Sequence, residues 1–241
     1  MCIRDRGSHC DSVKNGGNYD GILGVMSAME VLETVVEQNI PHKHPLTAMI
    51  WTNEEGSLYP PAMMVSGIVC NDCLPPEIAK NFKYDDMMAS KAMEAHEGSA
   101  DTFGEALAAS PYKGDKKYRL DRERSVSYTH LDVYKRQDIC RVRGIECSMR
   151  SVSSSEPLQL DKRLIAQLDE LASEKKIPHR LMDSGAVHDA CMIAKHAPAA
   201  MIFVPSIAGR SHVPEENTSE AELILGVRFL LDAAKKITGA K

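Results

Sequence analysis

Near the start of the chain stand one histidine, His9, an isolated aspartate, Asp20, and two adjacent glutamates, Glu54 and Glu55. These residue types make up a carboxylate-rich metal site of the kind that hydrolyses a bond. Glu54 and Glu55 would repel each other if both faced one low-dielectric cavity without a cation. An ion resolves this: one carboxylate binds it, and the other takes a proton from a water that the ion has made more acidic. Asp20 follows Gly16 and Gly17 in a turn where a short carboxylate could reach between two cations, the glycines letting the backbone approach. His9 and Asp11 are two residues apart, so on an extended strand they share a side, and the aspartate could take the second ring N–H of a metal-bound His9.

Two further histidines stand in patterned surroundings. His188 and Asp189 lie near a predicted helix start, where the imidazole could donate to a substrate carbonyl or a developing oxyanion. His212 follows a predicted strand and a glycine-containing turn, and could be a ligand from the second half of the chain. His42, His44, His96, His130, His179 and His196 read as structural or exposed side chains.

The elements that must position these groups alternate. Apolar residues at helical spacing, Leu23, Met26, Val31, Val35 and Val36, predict a helix from Ile22 to Gln38, closed by Pro41 and Pro45. Leu46 to Trp51 is a short apolar run that predicts a buried strand, delivering its C-terminal end to the acidic loop Thr52–Gly56. Pro75 to Glu97 reads as a helical connector, and Thr102 with Glu105 as a capping box opening a helix to Ala109. In the second half, helices are expected over Asp161–Lys176, with Leu164, Ile165, Leu168 and Leu171 on one face, and over Ser184–Lys195. A buried strand is expected at Met201–Val204, and a final helix capped by Ser219 and Glu222 runs to about Ile237. The expected fold class is α/β, with a mixed, largely parallel sheet flanked by helices.

Composition fits an ordinary soluble globular chain: 241 residues, 43% hydrophobic and 26% charged. A net charge of -5 without a long basic run argues against nucleic acid as the main partner. The apolar runs are too short to cross a bilayer and the start lacks the apolar stretch of a secretory signal, so the expected location is cytoplasmic. Seven scattered cysteines fit reduced thiols rather than a disulfide framework, and Cys70-x-x-Cys73, with no second pair, reads as structural.

One segment breaks the pattern. Ser125–Gln137, SVSYTHLDVYKRQ, has neither helical nor strand periodicity, and together with Met1–Arg6, MCIRDR, it resembles translated sequencing-adapter read-through. We read the chain as two genuine stretches, 7–124 and 138–241, joined by an artefact at 125–137.

Four ordered motifs, GSHCDSVKNGGNYDGILGV, HPLTAMIWTNEEGSLYPPAMMVSG, DSGAVHDACMIA and MIFVPSIAGRSHVPEE, resemble the hydantoinase/carbamoylase branch of the dinuclear-zinc aminoacylase and carboxypeptidase-like hydrolases. That branch holds N-carbamoyl-L-amino-acid hydrolases, β-ureidopropionases and allantoate amidohydrolases. The resemblance implies a zinc-peptidase-like catalytic domain in which His9 binds one metal, Asp20 bridges two, Glu55 and His212 are ligands and Glu54 is the general base. It further implies that Asp11 orients His9 and that His188 assists substrate binding or transition-state stabilisation. Two divalent ions are implied, zinc by default with manganese, cobalt or nickel able to substitute. The implied reaction is hydrolysis of a linear amide or ureido bond in a small molecule, by a homodimer.

This sequence also departs from that pattern. The family's Glu-x-His-Ile-Glu-Gln-Gly-Pro motif, with a second histidine ligand entering a smaller lid and dimerisation domain, has no counterpart here. Leu58 stands where an arginine is usual, and Val187 replaces a glycine and is expected to crowd the substrate carbonyl. Sequencing through the genomic locus should therefore replace SVSYTHLDVYKRQ with a lid carrying the missing histidine motif. An uninterrupted reading frame with the present junction would refute the chimera.

Overall fold

A computed structural model of the chain describes residues 4–93, 100–111 and 157–239. The junction 125–137, and with it the boundaries expected at 124 and 138, lies outside them.

Strand β1, Arg4–His9, runs parallel to β2, Leu46–Trp51, with Gly7 opposite Met49 and His9 opposite Trp51. The ladder begins inside the stretch set aside as adapter-like, because strand pairing uses backbone groups that any sequence offers. Between the strands runs α1, Ile22–Glu37, which buries Val25, Ala28, Val31 and Val35. It ends within a residue of the predicted position, where Asn39 turns into the left-handed region before Pro41.

Beyond β2 the chain packs into the main core through α2, Met64–Val69. Met64 is wholly buried beside Trp51, Tyr59, Phe82 and Phe103. Its N–H donates to the Asn53 carbonyl, and the Met63 N–H donates to the Glu54 carbonyl, so this core also anchors the acidic loop. Met64→Ala is expected to cost about 3 kcal/mol of stability in urea denaturation, as for other fully buried long side chains. A loss below about 1 kcal/mol would show that the core collapses around the gap.

The connector expected over Pro75–Glu97 is not one helix. Two short ones form, α3 (Pro76–Ala79) and α4 (Tyr84–Met88), and Asn71 Nδ2 donates to the Ala79 and Phe82 carbonyls at 2.7 and 3.0 Å, stapling the break between them. Residues 94–97 lie outside the described residues. Helix α5, Phe103–Ala109, opens on the expected capping box between Thr102 and Glu105.

In the second half α6 spans Lys162–Glu174, with the Asp161 carboxylate accepting from the Leu164 N–H at 2.8 Å. Helix α8 spans Glu220–Thr238, capped by Ser219 and closed by Gly239. Between them two expectations fail. Only Ala190–Ile193 (α7) is helical, because the Ser184 hydroxyl accepts from Ala186 N–H in a local turn instead of capping a helix. Met201–Val204 forms no strand with the described residues and is only partly buried, Phe203 being 47% exposed.

The fold is thus α/β, with helices packed on a parallel sheet. No described helix is long and apolar enough to cross a membrane. Cys70 and Cys191 are buried, Cys10 is exposed, and Cys73 Sγ lies 3.0 Å from His196 Nδ1. Val187 packs against the hydrophobic core, where its added bulk finds apolar neighbours.

Candidate metal centre

The parallel pair places His9 and Trp51 side by side at their C-terminal ends, and the two following loops meet there. Asp11 joins these loops. Its Oδ1 accepts from the Glu54 N–H and its Oδ2 from the Glu55 N–H, both at 3.1 Å. His9 Nδ1 lies 2.9 Å from the Asp11 backbone carbonyl and 3.7 Å from its Oδ1. The reading from spacing assumed a strand continuing through Asp11; the strand ends at His9, and the turn sends the carboxylate to the acidic loop.

Asn53 and Gly56 shape that loop. Asn53 sits at φ 56°, buried, and its Nδ2 donates to the Tyr59 and Pro61 carbonyls at 2.7 and 3.3 Å. A Cβ at Gly56 would stand 2.4 Å from the Ala62 nitrogen at φ 60°, so only glycine fits. On the other side Gly21, at φ 70°, starts α1, and a Cβ there would come within 2.5 Å of the His9 ring. That close approach brings Asp20 against His9.

The donors converge. His9 Nε2 is 3.6 Å from Asp20 Oδ1 and 3.9 Å from Glu54 Oε2. His212, at φ 59° in a loop of the second half, brings Nε2 to 3.0 Å from Asp20 Oδ2 and 3.4 Å from Glu55 Oε1. Its backbone N–H donates to Glu216 Oε2 at 3.0 Å. Two groups of ligand atoms each lie within 4.8 Å of one another: His9 with Glu54 and Glu55, and Asp20 with Glu55 and His212. Glu55 is common to both groups, and Asp20 faces both histidines. His188 Nδ1 lies 3.0 Å from Glu54 Oε1, so here the imidazole meets the second oxygen of this carboxyl.

These residues fit a divalent cation. Glu55 Oε1 is buried and accepts no hydrogen bond, with only the His212 ring 3.4 Å away as a described ion-pair partner, and such an acceptor is of the kind a cation satisfies. Imidazole and carboxylate donors suit zinc and its neighbours.

Burial pushes Glu54 up to about 7, against the opposing charge of His9. Burial also raises Glu55, offset in part by His212. For His9 burial opposes protonation, yet the hydrogen bond to Asp20 and the charges of Glu54 and Asp11 outweigh it and raise the ring to about 10. The His9 hydrogen bond holds Asp20 below the usual carboxylate range, against its burial.

The sign of the pH dependence follows. Raised carboxyls keep protons that the unfolded chain has released, so stability falls as pH rises from about 4.5 to about 7. The stability from His9 is complete below its unfolded value of 6.5 and is lost as pH rises through about 10. Melting in chelator should therefore drop steadily between about pH 5 and about pH 9. The rise in Tm on adding zinc should grow over the same interval, because ligands bind metal deprotonated. A chelated chain that melts higher at the alkaline end would contradict these assignments.

Sequence reasoning gave no role to Asn53, Glu216 or Asp189. Asn53 could have been found from its place before the glutamates, since asparagine tolerates the left-handed region. Glu216 is buried against Gly17 and holds the His212 loop. Asp189, 1% exposed, has its carboxyl raised by burial and by the charge of Glu54.

The sequence profile described as peptidase family M20/M25/M40 matches residues 7–236. An N-carbamoyl-L-amino-acid amidohydrolase of Rhizobium meliloti is 24% identical over 324 positions, covering 94% of this chain and 78% of that protein. An allantoate amidohydrolase of Bacillus subtilis is 26% identical over 334 positions, covering 96% and 80%. Since 94% of 241 residues is about 227, roughly a hundred of the 324 positions shared with the Rhizobium protein stand opposite gaps in this chain. The crystal structure of a hydantoinase/carbamoylase family amidase from Burkholderia vietnamiensis superposes with a TM-score of 0.78 at 21% identity, over 99% of this chain and 81% of that one, a likeness of fold.

Proposed function

The chain belongs to peptidase family M20/M25/M40, and from that membership we propose that its parent protein is a metal-dependent amidohydrolase acting on a linear C–N bond of a small molecule. The preferred substrate is an N-carbamoyl-L-amino acid, hydrolysed to the amino acid, carbon dioxide and ammonia; allantoate is the alternative. The names of the two sequence relatives support this class. The observation that carries it is the shared position of Glu55 between two donor groups, with Asp20 facing both histidines.

His9, Asp20, Glu55 and His212 would hold two divalent ions, zinc by preference, with manganese, cobalt or nickel able to substitute. Such ions, when bound, polarise a carbonyl and lower the pKa of water. The chain's own residues do the rest. Glu54 belongs to one donor group only, which leaves its buried carboxylate to serve as the base. It takes a proton from the attacking water and passes it to the departing nitrogen. His188, against Glu54 Oε1, holds that carboxyl in place and stands at the substrate side of the site. Asp11 fixes the acidic loop through both backbone amides and His9 through its carbonyl.

A second reading applies to the literal 241 residues. The roughly hundred unmatched positions are where a lid and a further histidine ligand would lie, so this polypeptide is a metal-binding remnant without turnover. Family enzymes pair through that lid; the parent is then a dimer and the remnant is not. Assaying both forms for ammonia release from N-carbamoyl-L-amino acids and from allantoate tests the two readings together. Activity is expected in the uninterrupted protein alone, and an inactive uninterrupted protein would refute the proposed reaction.

A further inference from the structure

Asp189 is the most deeply buried carboxyl among the described residues, 1% exposed, and neither of its oxygens accepts a hydrogen bond. Buried acceptors are nearly always paired, so a doubly unpaired one calls for an explanation. Neighbouring side chains do not supply it. Asp189 stands at the start of α7, yet its carboxyl caps none of that helix's amides. The Ser66 hydroxyl, wholly buried nearby, donates to the Met63 carbonyl at 3.2 Å instead. Trp51 Nε1 is also buried without a partner, so it does not reach Asp189 either. The charged groups acting on this carboxyl include Glu54 and Asp11, both negative, against His9.

We propose that Asp189 is a buried counter-charge to the divalent ions of the metal centre, raising their affinity without ligating them. It belongs to neither group of ligand atoms. It directly follows His188, whose ring meets Glu54 Oε1 at 3.0 Å, so the chain sets it beside the acidic loop and outside the donors. In a low-dielectric interior a charge acts well beyond bonding distance, and an unpaired carboxylate and a nearby cation stabilise each other without contact. The compensation missing from the side chains is what ions held by His9, Asp20, Glu55 and His212 would provide. The arrangement disfavours the metal-free chain, where burial and the charge of Glu54 both oppose the ionised form. Removing the carboxyl should therefore spare or help the metal-free chain and weaken metal binding, two effects of opposite sign. A carboxyl that only supports packing, or only holds buried water, would lower the stability of the metal-free chain when removed.

The inference rests on the metal centre proposed above. Asp189→Asn and Asp189→Leu in the full 241-residue chain test it, the first keeping the shape and the second removing both polar atoms. In chelator they should melt at the temperature of the unaltered chain or higher. Zinc titration should show an affinity lower by about tenfold or more, as for loss of a group just outside a ligand set. The number of ions bound at saturating zinc should stay unchanged, because no ligand is withdrawn. Melting several degrees lower in chelator by both variants would make Asp189 a structural residue and overturn the proposal; otherwise the variant that melts no lower decides the affinity comparison. Zinc affinity within about twofold of the unaltered chain, or an ion lost at saturation, would overturn it as well. An unaltered chain that binds no zinc would refute the metal centre and the counter-charge with it. Zinc held as tightly by the variants as by the unaltered chain would refute the counter-charge alone.

Discussion

Glu54→Gln in the uninterrupted protein should lower turnover by about a thousandfold or more while the protein keeps its metal. The substitution preserves shape and removes the one group that can accept a proton. Glu54 is 4% exposed, and its two oxygens face His9 and His188, so the amide remains packed where the carboxyl was. Metal content is expected to hold because Glu55, Asp20 and His212 form a group without it. The decisive comparison is kcat against bound metal in the same preparation. Near-normal turnover would remove Glu54 as the base, and a loss of metal equal to the loss of activity would make it a ligand instead.

Asp20→Ala should produce the largest loss of binding, about a hundredfold or more in zinc affinity. Asp20 touches both histidines, Oδ1 toward His9 and Oδ2 toward His212, so one deletion withdraws an oxygen from each side of the site. The metal-free chain carries a second signature. Without Asp20, the largest of the contributions that together outweigh burial, His9 should titrate below its present value of about 10, and the alkaline fall in Tm should move to lower pH. An affinity within a few-fold of the unaltered chain, measured by zinc titration, would show that Asp20 is only a turn residue.

The sequence was most readable where one local pattern decides the outcome. Helix α1, strand β2 and the capping box at Thr102 follow from periodicity or from a side chain bonding its own backbone, and they appear at or within a residue of the expected positions. It was least readable where a neighbour decides. Met201–Val204 has strand composition yet forms no strand among the described residues, since pairing depends on neighbours that no local rule supplies. Ser184 is a good cap by type, and its hydroxyl closes a turn with Ala186 instead. At the site, residue types pointed to His9, Asp20, Glu54, Glu55 and His212, which the structure gathers into two overlapping groups. The role of Asp11 could not be had from spacing, because it depends on where β1 stops and on the amides of a loop more than forty positions away.

Titrating zinc into the chelator-stripped 241-residue chain, with the bound ions counted by elemental analysis, tests the central claim most directly. Donors gathered around Asp20 and Glu55, in a chain that leaves roughly a hundred positions of a relative unmatched, should hold fewer than two ions tightly, and Asp20→Ala should release what is held. No zinc bound, zinc retained unchanged by the Asp20 variant, or a stable stoichiometry of two would contradict it.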